Sequence, residues 1–433
     1  MSARNRELVG LIPASLLITA GFAGVYIQRS DHLSNVSLTY GAIFLGLCLA
    51  GHLFLRMTLP NADPYLFPLV AVLASFGLVM IYRIDSTLAR QQAQWFVLGL
   101  VLFAVTIAVL RDYRKLERYR YVIVAVSLGL MVLPRFPVVG YAANGAYLGV
   151  RIPGLFVFQP PEFAKIGLVI FLASYLRDTR QLLVVGARRI LGVTIPPFKH
   201  FGPVLIIWGL AMGILVLLSD VGTSVMFYGA LLAMLYVATS RVSFVVVGLI
   251  AAAIGFWYLG THIAHIHARV ETWMNPLSPH LYNAPLGSFQ IANAMFAQAA
   301  GGLFGQGFGQ AVIQFPGGGT LLPFSSTDMI YAVITDELGL FGAAAVILTY
   351  LIFVWRGLKV AMLARDSFSK LLAAGLTSMF ALQVFVIVGG VTRVIPLTGV
   401  TLPFVAYGGS SILANFVLLA LLLLVSDRAR RLA

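Results

Sequence analysis

The chain has 433 residues, of which 60% are hydrophobic and only 10% are charged, and its formal net charge is +14. An ordinary soluble domain has about 25% charged residues, so the composition excludes a water-soluble globule, and 12% aromatic residues exclude a disordered chain. The composition indicates an integral membrane protein, in which the positions of the basic residues decide what the net charge means.

Twelve continuous apolar runs approach or reach the length of about 20 residues that a helix needs to cross a bilayer. Helices pair every backbone N–H within their own segment, as the lipid interior requires. We therefore predict an all-α polytopic membrane protein with twelve transmembrane helices, of which the fifth and sixth are the shortest. The runs cover residues 8–27, 38–55, 66–82, 95–110, 121–133, 161–175, 201–218, 221–238, 243–260, 329–355, 371–391 and 403–425.

Basic residues are distributed unevenly between the two sides of these predicted helices. If the N-terminus lies in the cytoplasm, 21 Lys and Arg residues fall in cytoplasmic segments and 7 on the other side, as the positive-inside rule expects. The cytoplasmic segments contain 7 acidic residues, so their excess of 14 basic charges equals the whole net charge. We expect both termini in the cytoplasm and no nucleic-acid partner.

Two external connections, 134–160 and 261–327, are predicted to be long, whereas most others are short. Long loops in a compact protein are usually functional. The functional site is therefore expected on the extracytoplasmic side.

Ionisable residues inside apolar runs are costly and mark candidate functional sites. Glu162 and Lys165 are three residues apart, so they share a helix face on which they can pair. Asp336 and Glu337 lie about two helical turns after Asp328. Together these residues predict a polar cavity that opens outward, with a polar or anionic ligand whose lipid part enters between helices.

Asp220 and Asp328 each lie immediately before an apolar run. An Asp in this position can accept hydrogen bonds from the first backbone N–H groups of a helix. Helix capping therefore accounts for one carboxylate at the start of each of these two runs.

Four groups of motif residues follow one another between about residue 66 and the C-terminus. They are Asn144-Gly145-Ala146 with Phe158-Gln159-Pro160-Pro161-Glu162-Phe163-Ala164-Lys165; Asp220-Val221-Gly222-Thr223-Ser224; Leu322-Pro323, Thr327-Asp328 and Asp336-Glu337-Leu338-Gly339; and Arg393 to Gly399 with Pro403-Phe404-Val405-Ala406-Tyr407-Gly408-Gly409-Ser410-Ser411 and Asn415. In these motifs and their order the chain resembles the SEDS family (shape, elongation, division and sporulation proteins: FtsW, RodA and SpoVE).

The resemblance implies a core of ten helices, so the first two runs are an addition to it. We predict an N-terminal two-helix extension over residues 1–60 and a family core over 61–433, which includes the external loop 261–327. The extension, with no long C-terminal tail, favours the RodA-like members over the FtsW-like ones.

The resemblance also implies a function. Members of the family polymerise glycan strands from lipid II, a disaccharide-pentapeptide on undecaprenyl pyrophosphate, at the outer face of the bacterial cytoplasmic membrane. The 4-hydroxyl of the incoming lipid II attacks the anomeric carbon of the growing strand, and the lipid pyrophosphate leaves. This reaction needs a base and help for the leaving group from a cation or a divalent metal such as Mg²⁺ or Mn²⁺. No other cofactor is expected. A class B penicillin-binding protein, which cross-links the glycan, is the expected partner.

Lys165 and Arg393 are the candidate partners of the pyrophosphate. The other residues expected to contact the substrate are Glu162, Trp273, Asn275, Gln290, Ser410 and Ser411.

One position departs from the family pattern. The family carries its presumed catalytic Asp in the long external loop, in a segment that corresponds here to residues 273–290, and the position of that Asp is occupied by Ala284. Alanine can neither accept a proton nor bind a metal. The only acidic residue between Thr261 and Thr327 is Glu271.

Three hypotheses account for Ala284. The enzyme is active through another carboxylate, with Glu271 and Asp328 as candidates; or the alanine is an introduced, inactivating substitution; or the protein is a natural non-catalytic relative that binds lipid II or acts as a scaffold. A lipid II flippase is the alternative from a different class of function, although the long loop on one side and the lack of inverted repeats favour external chemistry.

Overall fold

The structure is a computed structural model. It describes residues 2–29, 35–137, 139–143, 146–152, 156–185, 188–190, 193–195, 198–284, 287–315 and 319–431. The motif residues Asn144, Gly145 and Pro285 lie outside the described residues.

Helices dominate the described chain, as predicted. In chain order they are α1 (Ala3–Gly10), α2 (Ile12–Arg29), α3 (Asn35–Thr58), α4 (Leu66–Ile84), α5 (Ser86–Val109), α6 (Arg120–Val132), α7 (Pro160–Val185), α8 (Phe198–Leu217), α9 (Val221–Thr239), α10 (Val242–His262), α11 (Ala264–Met274), α12 (Pro279–Tyr282), α13 (Phe289–Gly301), α14 (Ile330–Leu363), α15 (Ser367–Val391) and α16 (Gly409–Arg431).

Nine helical segments of the described chain are long and apolar enough to cross a membrane, which makes this a multi-pass membrane protein. The three remaining predicted runs are also helical, and they correspond to α6, α7 and α8. Helix α6 has only 13 residues, and α7 carries several charged residues along its length. The number of twelve crossings therefore stays a prediction.

The segments between the apolar runs contain secondary structure that the runs did not predict. Residues 140–158 include an antiparallel three-stranded sheet of β1 (Gly140–Ala143), β2 (Ala146–Ile152) and β3 (Phe156–Phe158). A second pair, β4 (Arg188–Ile190) and β5 (Val193–Ile195), follows α7. The predicted loop 261–327 contains α11, α12 and α13. These helices are shorter than a membrane span, and their composition is less apolar.

The chain divides into two compact units. The first consists of residues 1–111, 272–357 and 383–433, and the second of residues 112–271 and 358–382. These boundaries differ from the predicted division into an extension and a core, which stays a prediction.

Aromatic packing holds α5 and α16 together within the first unit. Phe416 of α16 makes edge-to-face contacts with Phe96 and Phe103 of α5, at ring-centroid distances of 5.4 and 6.2 Å. Gly99 lies between them, and a side chain there would overlap the ring of Phe416. Such ring pairs stabilise a structure beyond the area that they bury.

Helix α14 is broken at Gly339, which has a left-handed φ of 64°. The main-chain N–H groups of Gln306 and Gly307 donate to the carbonyls of Asp336 and Glu337, at 2.9 and 3.1 Å. Beyond the break, the N–H of Leu340 donates to the carbonyl of Gly302 and that of Phe341 to Leu303. The glycine-rich segment 301–309 therefore supplies the hydrogen bonds that the interrupted helix loses.

Candidate functional site

In the second unit, a buried ion pair forms in the first turn of α7. The Lys165 Nζ lies 2.6 Å from Glu162 Oε2, and only 1% of Lys165 and 9% of Glu162 are exposed. Pro160 and Pro161 start the helix, where the missing N–H of proline costs nothing. The pairing predicted from the three-residue spacing is confirmed.

Asp220 adds a second carboxylate to this region. It caps α9 as predicted, accepting a hydrogen bond from the Thr223 N–H at 3.0 Å. Burial raises the pKa of the Asp220 carboxyl, whereas its hydrogen bonds with Thr223 and the charge of Arg269 lower it, and the charge of Glu162 raises it further. In the second unit, Asp220 thus interacts electrostatically with Glu162 and Arg269, and Glu162 pairs with Lys165.

In the first unit, Trp273 and Arg393 form reciprocal hydrogen bonds. The Trp273 indole N–H donates to the Arg393 carbonyl at 3.0 Å. In return, the Arg393 guanidinium donates through Nε to the Trp273 carbonyl and through a terminal nitrogen to the Met274 carbonyl, both at 2.9 Å. We call this arrangement of Trp273, Met274 and Arg393 the clamp.

Gln298 of α13 reinforces the same region. Its amide donates to the Val391 carbonyl at the end of α15, and to Ala294 in its own helix, both at 3.0 Å. A groove of about 500 Å³ lies beside the clamp and opens to the outside of the unit. It is lined by Trp273, Met274, Met295, Gln298, Thr392 and Arg393.

Asp328 lies two residues before α14 begins and packs close to the motif that follows Arg393. A methyl group on Gly399 would lie 3.4 Å from the Asp328 carboxylate oxygen. The Tyr407 N–H donates to the Ser326 carbonyl at 2.8 Å, so the motif ending in Ser411 is also tied to this segment. The structure thus assembles two family motifs around Asp328.

Ser410 and Ser411 are buried, with 5% and 4% of their surfaces exposed. The Ser411 hydroxyl accepts hydrogen bonds from the Asn415 amide at 3.2 Å and from the Gln383 amide at 3.4 Å. These contacts give Ser411 an interior structural role, and its predicted contact with the substrate stays a prediction.

Ala284 lies in a tight turn after α12. The Leu281 carbonyl accepts hydrogen bonds from the N–H groups of both Ala284 and Ser288, and the Gly287 N–H donates to the Ala284 carbonyl at 2.9 Å. A side chain on Gly287 would overlap the Leu281 carbonyl. Main-chain hydrogen bonds therefore hold the turn, and the half-buried methyl group of Ala284 takes no part in them.

The remaining predicted residues differ in exposure. Asn275 is exposed and Gln290 is half-buried, both in the first unit, whereas Glu271 is exposed and belongs to the second unit. Within the described residues, no group of three or more His, Cys, Asp or Glu side chains is placed to hold a metal ion. We derive no step through a metal, and a requirement for Mg²⁺ or Mn²⁺ stays a prediction.

Sequence reasoning missed three polar residues of these clusters: Arg83, Arg269 and Gln298. Arg83 pairs with Glu337 at 2.6 Å between Nε and Oε1. Each of the three meets its partner across more than forty residues of chain, whereas Glu162 and Lys165 are neighbours on one helix turn. A sequence periodicity reveals only contacts of the second kind.

The described fold and motifs have counterparts among known proteins. A family model described as FtsW/RodA/SpoVE, cell cycle protein, matches residues 64–431. Peptidoglycan glycosyltransferase RodA of Mycobacterium leprae is 39% identical over 438 residues, which cover 99% of this chain and 91% of that relative.

Two solved structures are similar in fold. One, from work on the structural coordination of polymerization and crosslinking by a peptidoglycan synthase complex, has a TM-score of 0.67 and 25% identity, and the match covers 85% of this chain and 98% of that chain. The other is a crystal structure of the rod shape determining protein RodA of Thermus thermophilus, with a TM-score of 0.60 and 26% identity over 85% of this chain and 97% of that chain.

Proposed function

The chain belongs to the FtsW/RodA/SpoVE family of cell cycle proteins, and from this premise we propose that it is a peptidoglycan glycosyltransferase. It joins the disaccharide units of lipid II into glycan strands at the outer face of the bacterial cytoplasmic membrane, in cell elongation and shape. The observation that carries the proposal is the 39% identity, over 99% of the chain, to a relative named peptidoglycan glycosyltransferase RodA.

The reaction requires a base for the attacking 4-hydroxyl. Ala284 offers none, and Asp328 and Glu271 are the carboxylates that we propose in its place. Asp328 is half-buried against two family motifs, where an enclosed carboxylate can be oriented toward a substrate. Glu271 is exposed to solvent.

The departing pyrophosphate needs a cation. Lys165 is the side chain that we propose for this role, because its ammonium is buried and pairs with Glu162 at 2.6 Å. A charge in such surroundings acts more strongly than one in water. Glu162 holds the Lys165 ammonium in place.

A transpeptidase of the class B penicillin-binding proteins is the proposed partner. The proposal is supported by the similarity to a chain from a peptidoglycan synthase complex that polymerises and crosslinks. We further propose that both termini lie in the cytoplasm, because the 21 basic residues of the cytoplasmic segments then follow the positive-inside rule.

The decisive experiment compares the chain with its Ala284→Asp variant. Each purified protein, with and without the partner transpeptidase, receives lipid II, and glycan strands are separated on a gel. Ala299→Asp is the matched control, because it makes the same chemical change at an exposed position of α13. We expect polymer from the unchanged chain and a loss of at least tenfold in Asp328→Asn, as general-base removal typically costs about 10²-fold or more.

Other outcomes select other functions. If only Ala284→Asp polymerises, the unchanged chain is a non-catalytic member whose base is missing. If neither chain polymerises while both bind lipid II, the scaffold hypothesis replaces the enzymatic one. Movement of lipid II across proteoliposome membranes without polymer would identify a flippase.

A further inference from the structure

The clamp connects the ends of two helices. The Trp273 and Met274 carbonyls belong to the last residues of α11, and Arg393 is the second residue after the end of α15. The last carbonyls of a helix have no partner within the helix, and the Arg393 guanidinium supplies two of these partners. The Val391 carbonyl at the end of α15 obtains its partner from Gln298.

The backbone of Arg393 is adapted to this arrangement. Its φ of 62° lies in the left-handed region, which side chains other than glycine rarely adopt. The guanidinium is planar and presents its donors in a fixed fork, and here it uses Nε and a terminal nitrogen for two successive carbonyls. A lysine carries its three N–H donors on a single nitrogen and cannot reproduce this fork of two separate nitrogens.

The charge of Arg393 is directed at neutral acceptors. Within the described residues, the Arg393 guanidinium donates to the carbonyls of Trp273 and Met274, and no carboxylate pairs with it. Hydrogen bonds from an ionised donor are roughly twice as strong as neutral ones. Arg393 is therefore placed to hold the main chain at the end of α11.

The segment that the clamp fixes leads to the site. Met274 is followed immediately by residues 275–288, which contain Asn275 and the tight turn at Ala284. We propose that Arg393 is a positioning residue that acts with Trp273 to hold segment 275–284, with its substrate-contact candidate Asn275, in place, and that it is not the ligand of the pyrophosphate. The role in catalysis rests on the proposed function.

The first test separates charge from geometry. Arg393→Lys keeps the positive charge and loses the fork, whereas Arg393→Gln loses both. We expect both variants to lower kcat for lipid II by a similar factor, on the order of 10- to 100-fold, as misplacement of the groups that position a substrate does, with KM nearly unchanged. Wild-type kcat in Arg393→Lys combined with loss in Arg393→Gln would show a charge contact with the pyrophosphate and overturn the proposal.

Trp273→Phe provides the matched partner variant, because it removes only the indole N–H donor while keeping an aromatic ring. Residues that act as one unit have non-additive effects. The double variant Trp273→Phe with Arg393→Lys should therefore be no slower than Arg393→Lys alone. Multiplying effects would show that the two residues act independently, against the clamp.

A second measurement needs no activity. A nitroxide label is placed on Asn275→Cys in a Cys48→Ala background, with a label on the exposed Phe304→Cys as control. Arg393→Lys, Arg393→Gln and Trp273→Phe should each make the label at position 275 more mobile and leave that at position 304 unchanged. An unchanged label at 275 in all three variants refutes positioning, even if the proposed glycosyltransferase activity is absent.

Discussion

In the first unit, the half-buried Arg83 joins three segments through its guanidinium and pairs with the fully buried Glu337. Arg83 donates to the carbonyls of Gly309 and Ala311 at 2.7 Å, and its Nε lies 2.6 Å from the fully buried Glu337 carboxylate. One guanidinium thereby links α4, the glycine-rich segment and α14. The pair adds little compared with an apolar contact, but each member is costly to leave alone.

We predict that Glu337→Gln lowers the free energy of unfolding by about 3–5 kcal/mol, because it leaves the Arg83 charge buried without a carboxylate. The measurement is thermal unfolding of the purified protein in detergent, followed by circular dichroism. Glu271→Gln, at an exposed position, serves as the control and should leave Tm unchanged. Equal Tm values for the two variants would show that the Arg83–Glu337 pair is not buried as described.

At the scale of single residues, the sequence predicted contacts between near neighbours in the chain and missed contacts between distant residues. Glu162 and Lys165 were predicted to pair because a helix turn brings them together. Trp273 and Arg393 were both expected to contact the substrate, but their mutual hydrogen bonds join residues that are 120 positions apart. Such a contact depends on the folding of the whole chain and leaves no periodic signal.

Among the elements, the broken helix α14 depends on the backbone of Gly339. A side chain at this position would strain the left-handed φ of 64° and would overlap the Gly305 N–H and the Leu303 carbonyl. The sequence alone predicted one continuous apolar run over 329–355, because a glycine within an apolar run does not reveal whether the helix continues through it.

Gly339→Ala is expected to destabilise the protein by several kcal/mol, about the combined cost of an unsuitable φ and of displaced main-chain partners. Gly255→Ala is the matched control: Gly255 lies in α10 with no atom within 4 Å of an added methyl, where alanine is favoured in a helix by about 1 kcal/mol. Tm should fall in the first variant and stay equal or rise in the second. A harmless Gly339→Ala would mean that α14 runs unbroken.

At the scale of the whole molecule, the distribution of charge predicts the membrane topology, whereas the length of the apolar runs does not decide the number of crossings. The positive-inside distribution follows directly from the positions of Lys and Arg. Helix α6 has only 13 residues and α7 carries several charged residues, so neither has the length and composition of a typical span, whereas α8 has 20 residues. Apolar length alone therefore cannot count the crossings, and the sheet β1–β3 carries too short a pattern to be predicted.

Single cysteines test this topology in a Cys48→Ala background. We predict that Lys115→Cys and Arg180→Cys react with a membrane-impermeant maleimide only from the cytoplasmic side, and that Phe136→Cys and Asn275→Cys react only from outside. None of the four substituted residues belongs to an ion pair described above. Labelling of Phe136→Cys from the cytoplasm would mean that α6 and α7 do not cross, and the count of twelve would be wrong.

The hydrogen bonds between the interrupted helix α14 and segment 301–309 join main-chain groups, which limits the positions at which related chains can vary. Gln306, Gly307, Gly302 and Leu303 contact α14 through main-chain N–H and carbonyl groups, and Phe304 adds a ring stacked on Phe341 at 5.3 Å. Natural selection is then expected to retain the glycine at 305, where φ is 84°, while tolerating exchange at the exposed Leu303. Related chains are then expected to share the positions of these glycines more than the identities of the neighbouring side chains.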